Sequence, residues 1–191
     1  MFSRRQFIKT ASVSGLALTM SDIALKASTS SVMTQSSQKN MTPDKALEEL
    51  IKGNQRITSR NPIKRDLLSQ AKETSAGQYP FASIISCLDS RTQPEYIFDR
   101  GIGDILVGRI AANFVNTDLL GSLEFAAAIV GSKLIVVLGH TECGAVKGAC
   151  DNVILGNLTQ TLSNIMPAVY AVNDIKGERN SSNNKFVQRG I

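Results

Sequence analysis

At 191 residues, 42% hydrophobic and 19% charged, the chain has the size and make-up of one soluble globular domain and is too short for two comfortable ones. Its formal charge of +5 is spread out: residues 1–27 carry +3, which leaves +2 for everything after them. With no Trp, seven Phe and three Tyr, the chain lacks the clustered basic face and interleaved aromatics that nucleic acid calls for, and no nucleic-acid partner is expected.

The N-terminus reads as an address. Ser3, Arg4, Arg5, Gln6, Phe7, Ile8 and Lys9 form a twin-arginine export pattern, followed by a small-residue apolar stretch over 11–25. That stretch is broken by Ser, Thr and Asp22 and is too short and polar for a stable membrane span. The expectation is a twin-arginine (Tat) signal peptide over 1–27, delivering the protein to the periplasm. Residues 28–41 are a Ser-rich polar linker expected to carry no structure. The domain proper is expected over 42–191.

Thr42, Pro43 and Asp44 start a helix: a capping hydroxyl, a proline in the first turn and an acid at the positive end of the dipole. Ala46, Leu47, Leu50, Ile51, Asn54 and Ile57 fall on one face at helical spacing. Asn61 and Pro62 break the pattern, and 67–74 allows a short helix. The spacing then predicts strands over 81–86, 104–110 and 134–138, with a short helix over 94–98. A helix capped by Asn116 or Thr117 is predicted to turn Leu119, Leu120, Leu123, Ala126, Ala127 and Val130 inward, ending at Gly131. Another begins near Cys143, 155–172 makes a helix broken near Pro167, and 177–184 is polar loop. Strands alternating with helices predict an α/β fold: a central, mainly parallel β-sheet flanked by helices, with its site beyond the carboxyl ends of the strands.

Three cysteines (Cys87, Cys143, Cys150) and one histidine (His140) cannot all pair internally and do not resemble a small disulfide scaffold. The first predicted strand delivers Cys87, Leu88, Asp89, Ser90 and Arg91; the third delivers Gly139, His140, Thr141, Glu142, Cys143 and Gly144. Two thiolates and one imidazole suit zinc, and three protein ligands leave the fourth tetrahedral position to water or substrate. One Zn2+ is therefore expected per chain. Cys150 lies seven residues past Cys143, about 10 Å along a helix, and reads as a small core residue. A carboxylate two residues from a metal thiolate either binds the metal or accepts a hydrogen bond from metal-bound water. Arg91 would hold Asp89 in a charge-assisted pair. Zinc-bound water with its pKa brought toward ~7 supplies hydroxide at neutral pH. Asp104 and Arg109 read as polar residues at strand ends. Free thiols risk oxidation outside the cytoplasm, so a route that exports folded, metal-loaded protein fits such a site.

Cys87-x-Asp89-Ser90-Arg91 together with His140-x-x-Cys143-Gly144 resembles the signature of the β-class carbonic anhydrases. The flanks agree: Gly103-Asp104, Arg109-Ile110-Ala111-Ala112-Asn113 and Ser122-Leu123-Glu124-Phe125-Ala126 are similar to that family, and the likeness covers roughly 42–150. The resemblance implies zinc-dependent, reversible hydration of CO2 to bicarbonate and a proton through a zinc-bound hydroxide. Cys87, His140 and Cys143 would hold the metal. Asp89 would orient the hydroxide, or bind zinc as fourth ligand in an inactive closed state, and Arg91 would keep Asp89 off the metal. The resemblance further implies a homodimer or tetramer. Arg100-Gly101 stands where many relatives carry Gln, and Ala112 where Gly is frequent. Relatives usually continue past the point where Ile191 falls, so the chain is expected to be short at its C-terminus. Two other readings use the same site: hydrolysis of carbonyl sulfide or carbon disulfide, and a non-catalytic, zinc-stabilised binding module.

Overall fold

The computed structural model describes residues 32–190; the export signal read in 1–27 lies outside the described residues. Local capping groups start most of the helices. Helix α1 (Gln35–Lys39) begins at Thr34, whose hydroxyl accepts from Ser37 N. Helix α2 (Pro43–Thr58) begins at Thr42, which accepts from Lys45 N, and α3 (Leu67–Glu73) at Asp66, which accepts from Leu68 N and Ser69 N. Strand β1 (Ala82–Ser86), α4 (Pro94–Ile97) and strand β2 (Ile105–Arg109) follow. A single 3-10 turn (Ala111–Asn113) leads to α5 (Thr117–Phe125), capped by Asn116, and to a π turn (Ala126–Val130). Strand β3 (Ile135–Leu138), α6 (Gly144–Cys150), α7 (Gly156–Ser163), α8 (Met166–Ala171) and α9 (Asn184–Arg189) complete the order.

The sheet runs β2-β1-β3 with both pairings parallel, as the alternation of elements predicts. Ser86 stands level with Arg109 on one side and Leu138 on the other. The chain therefore leaves all three strands at one edge, which is what brings Cys87 and His140 together. Central β1 is buried at every residue, as a parallel strand covered on both faces must be.

Two apolar clusters hold this arrangement. Ala46 and Leu50 of α2 pack on Phe81, Ala82 and Ile84. Val146, Ala149 and Cys150 of α6 pack with Leu162, Ile165, Val169, Val172, Phe186 and Val187, and the same cluster takes in Cys87 and Cys143. The two cysteine ligands thus belong to a core, not a surface clasp.

Several expectations need correction. The linker over 28–41 is structured in its second half, because Gln38 is buried and donates its amide to Pro80 O at 2.7 Å and Val130 O at 3.0 Å. Those bonds anchor α1 under the amino ends of β1 and β3. On α2 the buried stripe is Ala46, Leu50 and Gly53, while Leu47 and Ile51 are 46% and 49% exposed. Gly53 explains the rotation: a Cβ there would sit 1.8 Å from Phe98 O, so the bare helix backbone rests on the end of α4. On α5, Leu119 and Leu123 are half-buried and Ala126 buried, but Leu120 and Ala127 are exposed. The π turn, closed by Gly131 N to Ala126 O at 3.0 Å, shifts the phase that a 3.6-residue period assumes. The break near Pro167 is as expected: it falls at 164–165, and Pro167 sits in the first turn of α8, where its missing N–H is harmless. No helix among the described residues is long and apolar enough to cross a membrane.

Candidate metal centre

The carboxyl edge of the sheet gathers the chemistry. Cys87 follows β1 directly. After β3 the chain turns through Gly139, His140, Thr141 and Glu142 to place Cys143 at the N-cap of α6. Glu142 is left-handed (φ 58), which lets this short turn fold back. Cys87 Sγ and Cys143 Sγ are 3.8 Å apart, and with the His140 ring their ligand atoms all lie within 4.8 Å of one another. Cys87 Sγ also accepts from Ala112 N at 3.3 Å, and Ala112 is itself left-handed (φ 60). Strained backbone thus clusters around the donors.

His140 is set up as a ligand. Its Nδ1 lies 2.8 Å from Thr141 O; a carbonyl only accepts, so Nδ1 carries the proton and the Nε2 lone pair is available. Nε2 is buried and has no hydrogen-bond partner among the described residues. An unsatisfied buried nitrogen costs about 1–3 kcal/mol, a penalty that a cation removes. The sulfurs agree, since two thiolates each ~2.3 Å from a tetrahedral zinc stand about 3.8 Å apart. The residues present therefore fit zinc, and Cys87, His140 and Cys143 would hold it.

The two thiols differ. Burial pushes Cys87 up, but the backbone N–H groups of Asp89 and Ala112 and the neighbouring Cys143 thiol oppose it, and the net is below its ordinary value. Burial pushes Cys143 up; the N–H groups of Val146 and Ala145 oppose this, the neighbouring Cys87 adds to it, and the net is above the ordinary value. One sulfur is disposed to ionise, and the other does so when a cation stands beside it.

Asp89 lies outside the three-donor cluster. Its carboxylate is turned to Arg91, whose guanidinium fork and backbone N–H hold it well below the usual carboxylate range. Arg91 Nη2 also reaches Glu142 O at 3.4 Å, linking the Cys87 loop to the His140 turn. The Asp89 carboxylate is thus paired with Arg91 and stands apart from the three donors. Gly139, His140, Thr141 and Gln188 line a cleft of about 540 Å3 beside the donors.

Sequence reasoning missed Arg109. Its Nε donates to Cys87 O at 2.9 Å and its Nη2 to Asp89 O, so it is no idle strand-end residue. Only its place at the carboxyl end of a strand beside the Cys87 loop hinted at this. Arg100 does not approach the donors: it lies at the other end of β1, bonded to Glu49 O and Phe98 O and stacked 5.2 Å from the Phe81 ring centre. Cys150 is 3% exposed, inside the core cluster and outside the donor cluster, as expected. Asp104 is buried and accepts from Gly101 N at 2.8 Å, a turn-holding role.

A family profile described as carbonic anhydrase matches residues 82–190. Carbonic anhydrase 2 of Mycobacterium tuberculosis is 40% identical over 111 residues, which cover 58% of this chain and 54% of that protein. The carbonic anhydrase of Mycolicibacterium smegmatis is 40% identical over 110 residues, covering 56% and 53%. The chain spans about half the length of these curated relatives. Among solved structures, a tetrameric β-carbonic anhydrase of Sordaria macrospora matches with a TM-score of 0.53 at 28% identity, over 62% of each chain. A Coccomyxa β-carbonic anhydrase matches with a TM-score of 0.54 at 22% identity, over 75% of this chain and 67% of that one, a likeness of fold.

Proposed function

Because the chain belongs to the carbonic anhydrase family, we propose that it catalyses the reversible hydration of CO2 to bicarbonate and a proton, using one Zn2+ held by Cys87, His140 and Cys143. The observation that carries this reading is the three-donor cluster flanked by a carboxylate locked to its own arginine. A non-catalytic zinc staple has no use for that second feature. Zinc, when bound, supplies a Lewis acid that lets water ionise near neutral pH.

The chain's own groups do the rest. Cys87 and Cys143, as thiolates, neutralise the dication, and the bond from His140 Nδ1 to Thr141 O fixes the ring that offers Nε2. Asp89, ionised and acceptor-only, orients an O–H of the attacking water. It is too weak a base to keep the proton, since Arg91 holds it far down. His140, the sole histidine, is committed to the metal, so the released proton passes to solvent water or buffer. Stopped-flow CO2 hydration on zinc-loaded protein tests the proposal, with carbonyl sulfide and carbon disulfide as rival substrates. Zinc-dependent CO2 turnover is expected; stoichiometric zinc without turnover would favour a binding module.

Assembly and address are part of the same proposal. A homodimer or tetramer is supported by exposed apolar side chains on one helix-and-strand region, including Phe125, Ile129, Ile135 and Val137 at 55%, 73%, 47% and 60% exposure. Light scattering on the purified protein decides the number of copies. Export to the periplasm is supported by Arg4 and Arg5 in their context; replacing both with Lys should leave the protein in the cytoplasm, and unchanged export would refute the address.

A further inference from the structure

Arg109 ends β2 opposite Ser86, and Ile110 N donates to Ser86 O at 3.1 Å. Its guanidinium therefore stands over the first residues beyond β1. There it bridges two carbonyls, that of Cys87 through Nε at 2.9 Å and that of Asp89 through Nη2. These are the residues that supply a metal thiolate and the orienting carboxylate. Arg91 holds the side chain of Asp89; Arg109 holds its backbone. The other bonds to Asp89 O come from Thr92 N at 3.2 Å and Thr92 Oγ1 at 3.1 Å, and they only close the loop on itself. The tie from Arg109 crosses 22 and 20 residues of sequence and fastens that loop to the sheet. Just past Arg109 the same segment presents Ala112 N to Cys87 Sγ, so one strand end fixes both the main chain and the sulfur of Cys87.

We propose that Arg109 is a positioning residue for the metal centre. By bridging the Cys87 and Asp89 carbonyls it keeps the Cys87 thiolate turned to His140 and Cys143 and the Asp89 carboxylate turned to Arg91, a role that rests on the metal reading of the site. A planar fork suits two carbonyls at fixed separation, and a lysine, as a point charge, cannot span both. Without the bridge the loop is free to rotate, which loosens the thiolate and lets Asp89 swing toward the donors. Partners that orient ligands in this way typically change metal affinity by about 10–100-fold.

The test uses metal-stripped full-length protein titrated anaerobically with Co2+, reading affinity by chelator competition and coordination from the thiolate charge-transfer and d–d absorption bands. Arg109→Met is expected to bind Co2+ about 10–100-fold more weakly with altered d–d bands, and Arg109→Lys to fall between it and the unchanged protein. Arg100→Met removes a buried arginine at the far end of β1; it is expected to lower the melting temperature while leaving the cobalt spectrum intact. An Arg109→Met protein with unchanged affinity and spectrum would overturn the proposal, whatever its melting temperature. Should that variant fail to fold, Arg109→Lys decides: weaker binding with changed bands supports the role, and unchanged binding refutes it. Failure of the unchanged protein to take up Co2+ through its thiolates would instead overturn the metal reading, and the role of Arg109 with it.

Discussion

Arg91 grips both oxygens of Asp89: Nε donates to Oδ1 at 2.9 Å, Nη2 to Oδ2 at 2.7 Å, and the Arg91 backbone N–H adds a third bond to Oδ1 at 2.9 Å. A carboxylate held this way stays ionised and stays away from the neighbouring sulfurs. Its folded-state pKa is depressed, so the pairing is fully present above the ordinary carboxyl value of about 3.9 and is lost only as pH falls through the lower folded value. No step of the Asp89–Arg91 pair therefore titrates in the neutral range.

Arg91→Gln removes the fork and leaves the metal donors untouched. CO2 hydration is expected to fall about 100-fold in kcat/KM while zinc content stays at the level of the unchanged protein. The Asp89 carboxyl, followed by 13C NMR, should titrate closer to its ordinary value. An unchanged kcat/KM would remove Asp89 orientation from the mechanism.

The three thiols separate cleanly by place. Cys143→Ser should lose most of its metal, because one of the three donors is gone. Cys150→Ala should keep it, at a stability cost of about 1 kcal/mol for a small void beside Val146 and Leu162. Elemental analysis after dialysis reads both. Metal loss from the Cys150 variant would mean that the donor set is misassigned.

Asp99 offers the clearest pH signature. It is 3% exposed, sits in a left-handed turn (φ 48), and accepts from Arg56, Arg65 and Ile63 N. Burial pushes its carboxyl up, but the two guanidinium groups outweigh it and the net is below the ordinary value. Its contribution is thus present above the unfolded pKa and lost as pH falls through the folded one. Asparagine tolerates the backbone conformation, so Asp99→Asn isolates the charge. The variant should be about 2–4 kcal/mol less stable at pH 7, and the gap should narrow below about pH 4. Urea unfolding at both pH values checks this; a gap independent of pH would exclude the charge as its cause.

Ala112 holds a left-handed conformation that alanine pays for and glycine does not. After allowing for the looser unfolded chain of glycine, Ala112→Gly should stabilise the protein by about 0.5–1 kcal/mol. That corresponds to a melting temperature raised by about 1–4 °C. The N–H that meets Cys87 Sγ survives the change, so metal content should hold. A lower melting temperature would show that the Ala112 methyl packs in a way its backbone cost does not reveal.

The donors were legible in sequence because their chemistry is written in residue types: two sulfurs and an imidazole after short apolar runs that read as strands, of which β1 is buried throughout and β3 leaves Ile135 and Val137 exposed. The Arg109 contact was not, because its partners are main-chain carbonyls, which look alike at every position. Helix α1 was hidden for a related reason. Its sequence is polar, and it is held by Gln38 reaching carbonyls 42 and 92 residues away, a tertiary effect that local composition does not carry. Ala127 is exposed where the chain closes a π turn and a regular helical period no longer holds; nothing in the structure explains the exposure of Leu120, which precedes that turn. On α2, Leu47 and Ile51 looked like core, yet the backbone at Gly53 is what meets the neighbouring segment.

X-ray absorption at the zinc edge, on protein purified without added metal, tests the shared foundation of these expectations. Two sulfurs at ~2.3 Å and one imidazole nitrogen at ~2.0–2.1 Å are predicted, with a single further light atom. A shell of oxygen and nitrogen alone, or four sulfurs gathered from more than one chain, would contradict the assignment of Cys87, His140 and Cys143 to one ion.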